Sequence, residues 1–310
     1  MILFRRHGLK KDTDMGKNMI TQVKKPVKKW LAHFVYEMHR HNLLPNRLKV
    51  LSVDETLDVL LNTNKSMVRF GDGELVMICG RNIIFQTAAP EITEELKRII
   101  GYQYEDLIVT IPDIFGDLDM YLPASKAFWE DHLLFFRKAY YKYCNTDKTY
   151  YNTTVSRGYV TLADKSASGG WFRKFRHVFA GKDLVMVEGC TAHNGVGNDL
   201  FSEAASVQRI VCPSRNAYSV RDRILEECLK FERDKLFLFA LGVTAKALVE
   251  EMFLKGYRVI DIGNLDMEYE WYLRGAEKKE PIPKHGIVGE EANRKAGYEE
   301  YLSQIVCYIE

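Results

Sequence analysis

Residues 235–263 read KLFLFALGVTAKALVEEMFLKGYRVIDIG, and this stretch decides the fold. Lys235 to Ala240 is predicted as a strand, and Leu236 to Ala240 within it are continuously apolar, as a strand covered on both faces requires. A turn at Leu241-Gly242 follows, and Thr244 is a natural N-cap for a helix running to Lys255. Gly256 ends that helix, and Arg258 to Ile262 is a second β-branched run. Strand, helix and strand make a βαβ unit, which implies a parallel pair and a layered α/β domain.

The same alternation extends in both directions. Asp54 to Asn62 is predicted as a helix capped by Ser52, Met67 to Phe70 as a strand, and Glu91 to Ile100 as a helix. Leu107 to Ile111 is a strand closed by Pro112-Asp113, and residues 123–143 form a helix whose aromatics read as core. Leu184 to Val187 and Arg209 to Cys212 are further buried strands. No internal repeat or Gly/Ser linker interrupts residues 50–310. The expected architecture is an α/β, Rossmann-like, mostly parallel sheet with helices on both faces over residues 49–310. A basic helical extension over residues 1–48 precedes it. Ligands of such sheets sit at the carboxyl ends of the strands.

Composition excludes a disordered, collagen-like or low-complexity chain: of 310 residues, 46% are hydrophobic and 28% charged. The net charge of +2 conceals an uneven distribution. Residues 1–50 carry 12 Lys/Arg against 3 Asp/Glu, and the remainder carries 32 against 39. The six cysteines are widely spaced, with no Cys-x-x-Cys pair, so reduced thiols and a cytoplasmic location are expected and a zinc site is not. The longest clean apolar run, Leu236 to Val243, is far below the ~20 residues of a spanning helix. Met1 to Arg6 lacks a signal-peptide apolar core.

Within the basic head, Pro26 suits a first helical turn, and Val27, Leu31, Phe34, Val35 and Met38 draw one apolar stripe. Lys24, Lys25, Lys28 and Lys29 gather at the helix start, where the dipole disfavours cations. Peripheral contact of residues 24–41 with an anionic membrane at its inner face accounts for that placement; docking on the body with solvated lysines is the plainer and compatible alternative. Leu43-Leu44-Pro45-Asn46 ends the helix. The head lacks the interleaved aromatics of a nucleic-acid binder, and no nucleic-acid partner is expected.

Five polar segments fall at predicted strand ends. Arg69-Phe70-Gly71-Asp72-Gly73-Glu74 places two carboxylates two residues apart, hard ligands suited to Mg²⁺ or Mn²⁺ carried with substrate phosphates, although Asp-Gly also favours a plain turn. Gly195-Val196-Gly197-Asn198-Asp199 is a glycine turn expected to open a helix and cradle phosphate. Leu200 stands where the dinucleotide fingerprint needs a third glycine, which disfavours a nicotinamide cofactor. Ser214-Arg215-Asn216 and Gly242-Val243-Thr244 are further candidate contacts for base, ribose or phosphate. Asp266, Glu268 and Glu270 lie among Tyr269, Trp271 and Tyr272, where burial suits a general base.

Taken in order, Arg69 to Glu74, Ser156-Arg157-Gly158-Tyr159, Gly195 to Phe201, Cys212 to Ala217, Leu241 to Ala245 and Asp261 to Trp271 resemble the GT-D-fold bacterial glycosyltransferases. The resemblance spans about residues 50–275. It implies metal-dependent transfer from a UDP-sugar, with Asp72 and Glu74 as the family's Asp-x-Glu metal pair. It also implies a glycan or glycoprotein acceptor on the bacterial surface, with glucose the first candidate among hexoses. Donor contacts are then expected from Arg69, Gly71, Gly73, Arg157, Gly197, Asn198, Asp199, Ser214, Arg215, Asn216, Gly242 and Thr244. Glu270, Glu268 and Asp266 are the candidate bases, and spacing leaves the choice among them open. Three positions depart from the family pattern: Ala192-His193 replaces Ser-Arg, Val243 replaces Pro, and Asn264 replaces His. These departures keep a catalytically degenerate nucleotide-sugar-binding module in view; a nucleotide-sugar oxidoreductase would need the missing glycine fingerprint.

Overall fold

The computed structural model describes residues 25–45, 48–286 and 296–310. Lys24 and the first half of the basic head lie outside the described residues. Helix α1 (Lys25–Arg40) leads into strand β1 (Lys49–Val50), helix α2 (Val53–Asn62) and strand β2 (Ser66–Arg69). Helices α3 (Asp72–Ile78) and α4 (Pro90–Ile100) connect to β3 (Leu107–Ile111), and α5 (Pro123–Tyr143) to β4 (Thr149–Asn152). After α6 (Ser168–Phe179) come β5 (Asp183–Gly189), β6 (Ser206–Cys212), α7 (Arg221–Cys228) and β7 (Leu236–Ala240). The chain continues through α8 (Thr244–Leu254), β8 (Arg258–Asp261), α9 (Leu265–Leu273), α10 (Tyr298–Gln304) and β9 (Ile305–Tyr308).

The strands form one sheet in the order β1-β4-β3-β2-β8-β7-β5-β6-β9, and every paired neighbour is parallel. The expected mostly parallel α/β sheet is therefore present. Its two faces are read directly from β7: Phe237 and Phe239 enter one core, with Val68, Val109 and Val259, while Leu236 and Leu238 enter the other, with Met67, Ile108 and Ile260. Period-two alternation into two apolar layers explains why these strands are apolar throughout. The expected α2 is capped as its sequence indicates. Ser52 Oγ accepts the Glu55 N–H at 3.2 Å, and the Glu55 carboxylate accepts the Ser52 N–H at 2.8 Å.

Several elements have no strong local signature. β1 is two residues long, and β4 is Thr-Tyr-Tyr-Asn. Helix α6 begins Ser168-Gly169-Gly170, poor helix formers that mask the stripe of Phe172, Phe175, Val178 and Phe179 behind them. Thr244 is the first residue of α8, and Val243 occupies the cap position. No helix among the described residues is long and apolar enough to cross a membrane.

The register of α1 differs from its apolar stripe. The helix packs on α5 through Ala32, Tyr36 and His39, while Val27, Leu31 and Phe34 face solvent. The Tyr36 hydroxyl accepts the Leu118 N–H at 3.2 Å, and Lys28 pairs with Asp131 at 2.7 Å. Polar anchors on the body, which the stripe does not contain, set the rotation.

Replacing Ser52 by Ala removes the reciprocal cap of α2. Urea unfolding of Ser52→Ala is expected to show a loss of about 1 kcal/mol with an unchanged m-value.

Candidate active site

The order in which the chain lays down its parallel strands reverses between β2 and β8. β2 feeds α3, α4 and β3 on one side, while β7 and α8 deliver β8 from the other. Parallel α/β sheets bind ligands outside the carboxyl ends at such a reversal. Here a buried charge network closes the seam. Lys246, on α8, places Nζ 2.9 Å from Glu74 Oε1, 2.9 Å from Asp261 Oδ2 and 3.0 Å from the Gly242 carbonyl. Burial opposes the ammonium, but Asp261 and Glu74 outweigh it and raise the Lys246 pKa. Burial likewise opposes the Glu74 carboxylate, and Lys246 overcomes it, so Glu74 stays ionised.

Asp72 and Glu74 occupy the first turn of α3 rather than a hairpin turn. Gly71 caps the helix by donating its N–H to Glu74 Oε2 at 2.7 Å. Gly73 lies within α3, facing Ile83. Asp72 is half-buried, and its carboxylate has no hydrogen bond or ion pair among the described residues. Carboxylates at a helix N-terminus match the dipole, which explains why this sequence forms a helix here.

Arg69, at the end of β2, is 6% exposed and runs beneath Gly263. Its Nη2 donates to the Thr153 carbonyl at 3.2 Å, and Nη1 lies 4.0 Å from Asp261. Burial lowers the Arg69 pKa against the opposing pull of Asp261. Arg69 Nε, Thr110 Oγ1, Thr153 Oγ1 and Ser156 Oγ are buried without a hydrogen-bond partner among the described residues. Each such group costs about 1–3 kcal/mol when left unpaired, so their concentration around the ends of β2, β3 and β4 marks a polar site. Arg157 follows Ser156 and is half-buried.

The other sequence-derived residues separate into two groups. Asn198, Asp266 and Glu270 form a tie between loops. Asp266 is fully buried, accepts from Gly195 N and Asn198 Nδ2 at 2.8 and 2.7 Å, and pairs with Lys284 and His285 at 2.8 Å each. Burial alone would raise its pKa; His285 and Lys284 reverse this and hold it well below the usual carboxylate range. Glu270 pairs with Lys284 and Arg274 at 2.9 Å each. Glu268 accepts the N–H groups of Tyr159 and Val160, and burial raises its pKa. These acids sit on α9, not in a turn at the strand end.

No helix lies between β5 and β6. The expected helix opening at Gly195–Asp199 is therefore absent, because Asp266 captures the turn from inside. Gly197 is exposed with φ +73°, and Asp199 bonds the Tyr269 hydroxyl at 2.6 Å. At the end of β6, Ser214 Oγ accepts Thr191 N at 3.0 Å, and Asn216 Oδ1 accepts Thr87 N at 2.9 Å. Arg215 is exposed, and Thr244 donates to Gln86 at 3.4 Å. Of the departures, His193 is buried against Tyr298 and Tyr301, and Asn264 is exposed before α9.

Asp113 carried no site signal beyond ending a strand. It lies just past β3, half-buried, and burial pushes its carboxyl up to about 6. A shallow cleft of about 380 Å³ opens at the opposite edge, between Ser66, Lys182 and Arg258. Two of its cations are answered locally, Lys235 by Asp183 and the Arg258 Nη2 by the Leu60 carbonyl.

A Cβ on Gly263 would collide with Arg69 Nη1, and φ at this position is +50°. Gly286 has φ +83° and open space around it. Gly263→Ala is expected to cost about 1–3 kcal/mol more than Gly286→Ala in urea unfolding.

The Glycosyltransferase GT-D fold family model matches residues 67–290. The chain is 39% identical over 267 residues to a probable glycosyl transferase Gly of Streptococcus gordonii, covering 85% of this chain and 39% of that protein. It is 38% identical over 266 residues to the glycosyltransferase GlyD of Streptococcus pneumoniae serotype 4, covering 84% and 33% respectively. The chain thus spans well under half the length of these curated relatives. A solved glycosyltransferase domain from Streptococcus sanguinis superposes with TM-score 0.79 at 38% identity, covering 85% of this chain and all of that one. A solved domain described as having a distinct glycosyltransferase fold superposes with TM-score 0.81 at 35% identity, covering 91% and 100%. On sequence and fold together, the chain belongs to the GT-D-fold glycosyltransferase family.

Proposed function

We propose that the chain transfers a hexose, glucose first among the candidates, from a UDP-sugar to a hydroxyl of a bacterial surface glycan or glycoprotein. A single observation carries the reading: a carboxylate pair opens α3 at the β2–β8 reversal, beside Arg69, Lys246 and the unpaired polar atoms around β2 to β4. A departing nucleoside diphosphate needs concentrated positive charge and polar donors at one edge.

The donor set fits Mg²⁺ or Mn²⁺. Asp72 and Glu74 are hard oxygen ligands; the Asp72 carboxylate is unengaged among the described residues, whereas Glu74 already accepts from Lys246 and the Gly71 N–H and would have to share an oxygen with the ion. The described residues contain no group of three or more His, Cys, Asp or Glu able to hold a metal. Two carboxylates suit an ion that completes its shell with substrate phosphates. When bound, such an ion supplies Lewis-acid neutralisation of the diphosphate.

The chain's own groups do the rest. Lys246 fixes the Glu74 carboxylate in place. Arg157, half-buried beside the unpaired Ser156 and close enough to act electrostatically on Arg69 and Glu268, is the proposed contact to the donor phosphates. For the acceptor proton, the more accessible acid is the better candidate, and this favours Asp113 over Glu270, Glu268 and Asp266. Asp266 and Glu270 are committed to Lys284, and Glu268 is 2% exposed with an oxygen already bonded to two N–H groups. Asp113 is half-buried just past β3, the strand beside β2, and burial raises its proton affinity, which makes it the base we propose for the attacking hydroxyl.

With UDP-glucose and Mn²⁺, released UDP reports turnover. Asp72→Asn is expected to lower it about 100-fold or more; undiminished turnover without a divalent ion would overturn the metal assignment. Asp113 acts only when deprotonated, so the native transfer rate should rise with pH through about 6. Asp113→Asn should lower transfer about 100-fold, remove that limb and leave UDP affinity intact.

A further inference from the structure

Residues 79–89 connect α3 to α4, and their hydrogen bonds reach well beyond both helices. The loop is first closed on itself. Ile83 and Gln86 exchange backbone hydrogen bonds at 3.1 and 3.4 Å, and Asn82 Oδ1 accepts the Ala88 N–H at 2.9 Å. It is then fastened to the far side of the strand-order reversal. Gln86 is buried, and its Oε1 accepts from Thr244 Oγ1, past β7, and from the Tyr218 N–H, past β6, at 3.4 Å each. Asn216, also past β6, grips the loop twice. Its N–H donates to the Phe85 carbonyl at 2.8 Å, and its Oδ1 accepts the Thr87 N–H at 2.9 Å.

Asn216 makes this double grip with φ +51°, in the left-handed region that few side chains tolerate. Glycine meets that backbone requirement more easily, so conformation alone does not call for an amide here. The amide oxygen is engaged by the loop, although the sequence placed this residue among the donor contacts.

The other end of the loop reaches the carboxylate pair. Ile83 Cδ1 lies 3.7 Å from where a Cβ on Gly73 would stand, and Gly73 separates Asp72 from Glu74. Ile83 also packs against the core that holds Leu75 and Met77 of α3.

We propose that Asn216 is a positioning residue for the transfer. By pinning residues 82–88 it seats Ile83 against the first turn of α3 and fixes where Asp72 and Glu74 present their oxygens. The role rests on those two carboxylates binding the divalent ion of the proposed transfer. Groups that orient metal ligands from outside the coordination shell are worth about 10–100-fold in metal affinity.

Two variants of the full chain separate the side chain from the backbone. Asn216→Gly keeps the left-handed turn and removes Oδ1, whereas Asn216→Asp keeps an oxygen acceptor and tolerates the same φ. Hydrogen exchange over residues 82–88 should quicken about tenfold in Asn216→Gly and stay native in Asn216→Asp. With UDP-glucose, the Mn²⁺ concentration for half-maximal UDP release should rise about tenfold in Asn216→Gly, while kcat at saturating Mn²⁺ stays within about twofold. Asn216→Asp should restore the native Mn²⁺ response and bind UDP as the native chain does in calorimetry. Native exchange in Asn216→Gly overturns the pin, and quickened exchange with an unchanged Mn²⁺ response overturns the positioning role. Weakened UDP binding by Asn216→Asp would make Asn216 a direct donor contact and also overturn it. A native chain that releases no UDP overturns the transfer itself and this role with it; native release with unaltered variants overturns this role alone.

Discussion

One buried ammonium, Lys246, joins the two halves of the sheet at their carboxyl edge. It is 3% exposed and bridges Glu74, which follows β2, to Asp261, which ends β8. Three buried charges survive there because each is matched within hydrogen-bonding distance; removing one partner would strand the others at a cost of several kcal/mol. The local geometry follows from this tie. Asp261 also accepts the N–H groups of Arg69 and Gly263, at 3.3 and 3.0 Å, and so shapes both strand-end turns. The left-handed turn at Gly263 in turn leaves the space through which Arg69 passes.

Helix α9 repeats the principle. Its three acids hold the surrounding loops: Asp266 and Glu270 share residues 198 and 284, Asp266 adds 195 and 285, and Glu268 holds 159 and 160. Buried carboxylates need such partners. Their effect is a rigid wall beside the seam, so that polar groups aimed at a ligand need not reorganise when it binds.

Residue type and spacing made some of this legible and concealed the rest. Asp72 and Glu74 were legible only in company: Asp-Gly alone favours a plain turn, and the ordered segments that resemble the family singled the pair out. Lys246 was not legible, since a lysine in Thr244-Ala245-Lys246-Ala247 reads as a solvated helix residue. Asp113 was visible only as a strand terminator; its environment, not its neighbours in sequence, gives it a raised proton affinity. Gly195 to Asp199 read as a helix opening because glycines and amides favour one, yet Asp266 pulls the turn inward. The apolar stripe of α1 suggested a docking face, but Tyr36 and His39 anchor the opposite side.

The parallel α/β sheet and the family resemblance were determined by the sequence itself. Apolar runs of strand length, helix periodicity and ordered strand-end segments are local patterns, and each can be read without knowing what lies across the fold. Only the tertiary structure decided which charges meet. Glu74 finds Lys246 and Asp261 because β2 and β8, distant along the chain, become neighbours in the sheet. The strength of a buried ion pair depends on separation and burial, and neither is encoded in any short stretch of residues.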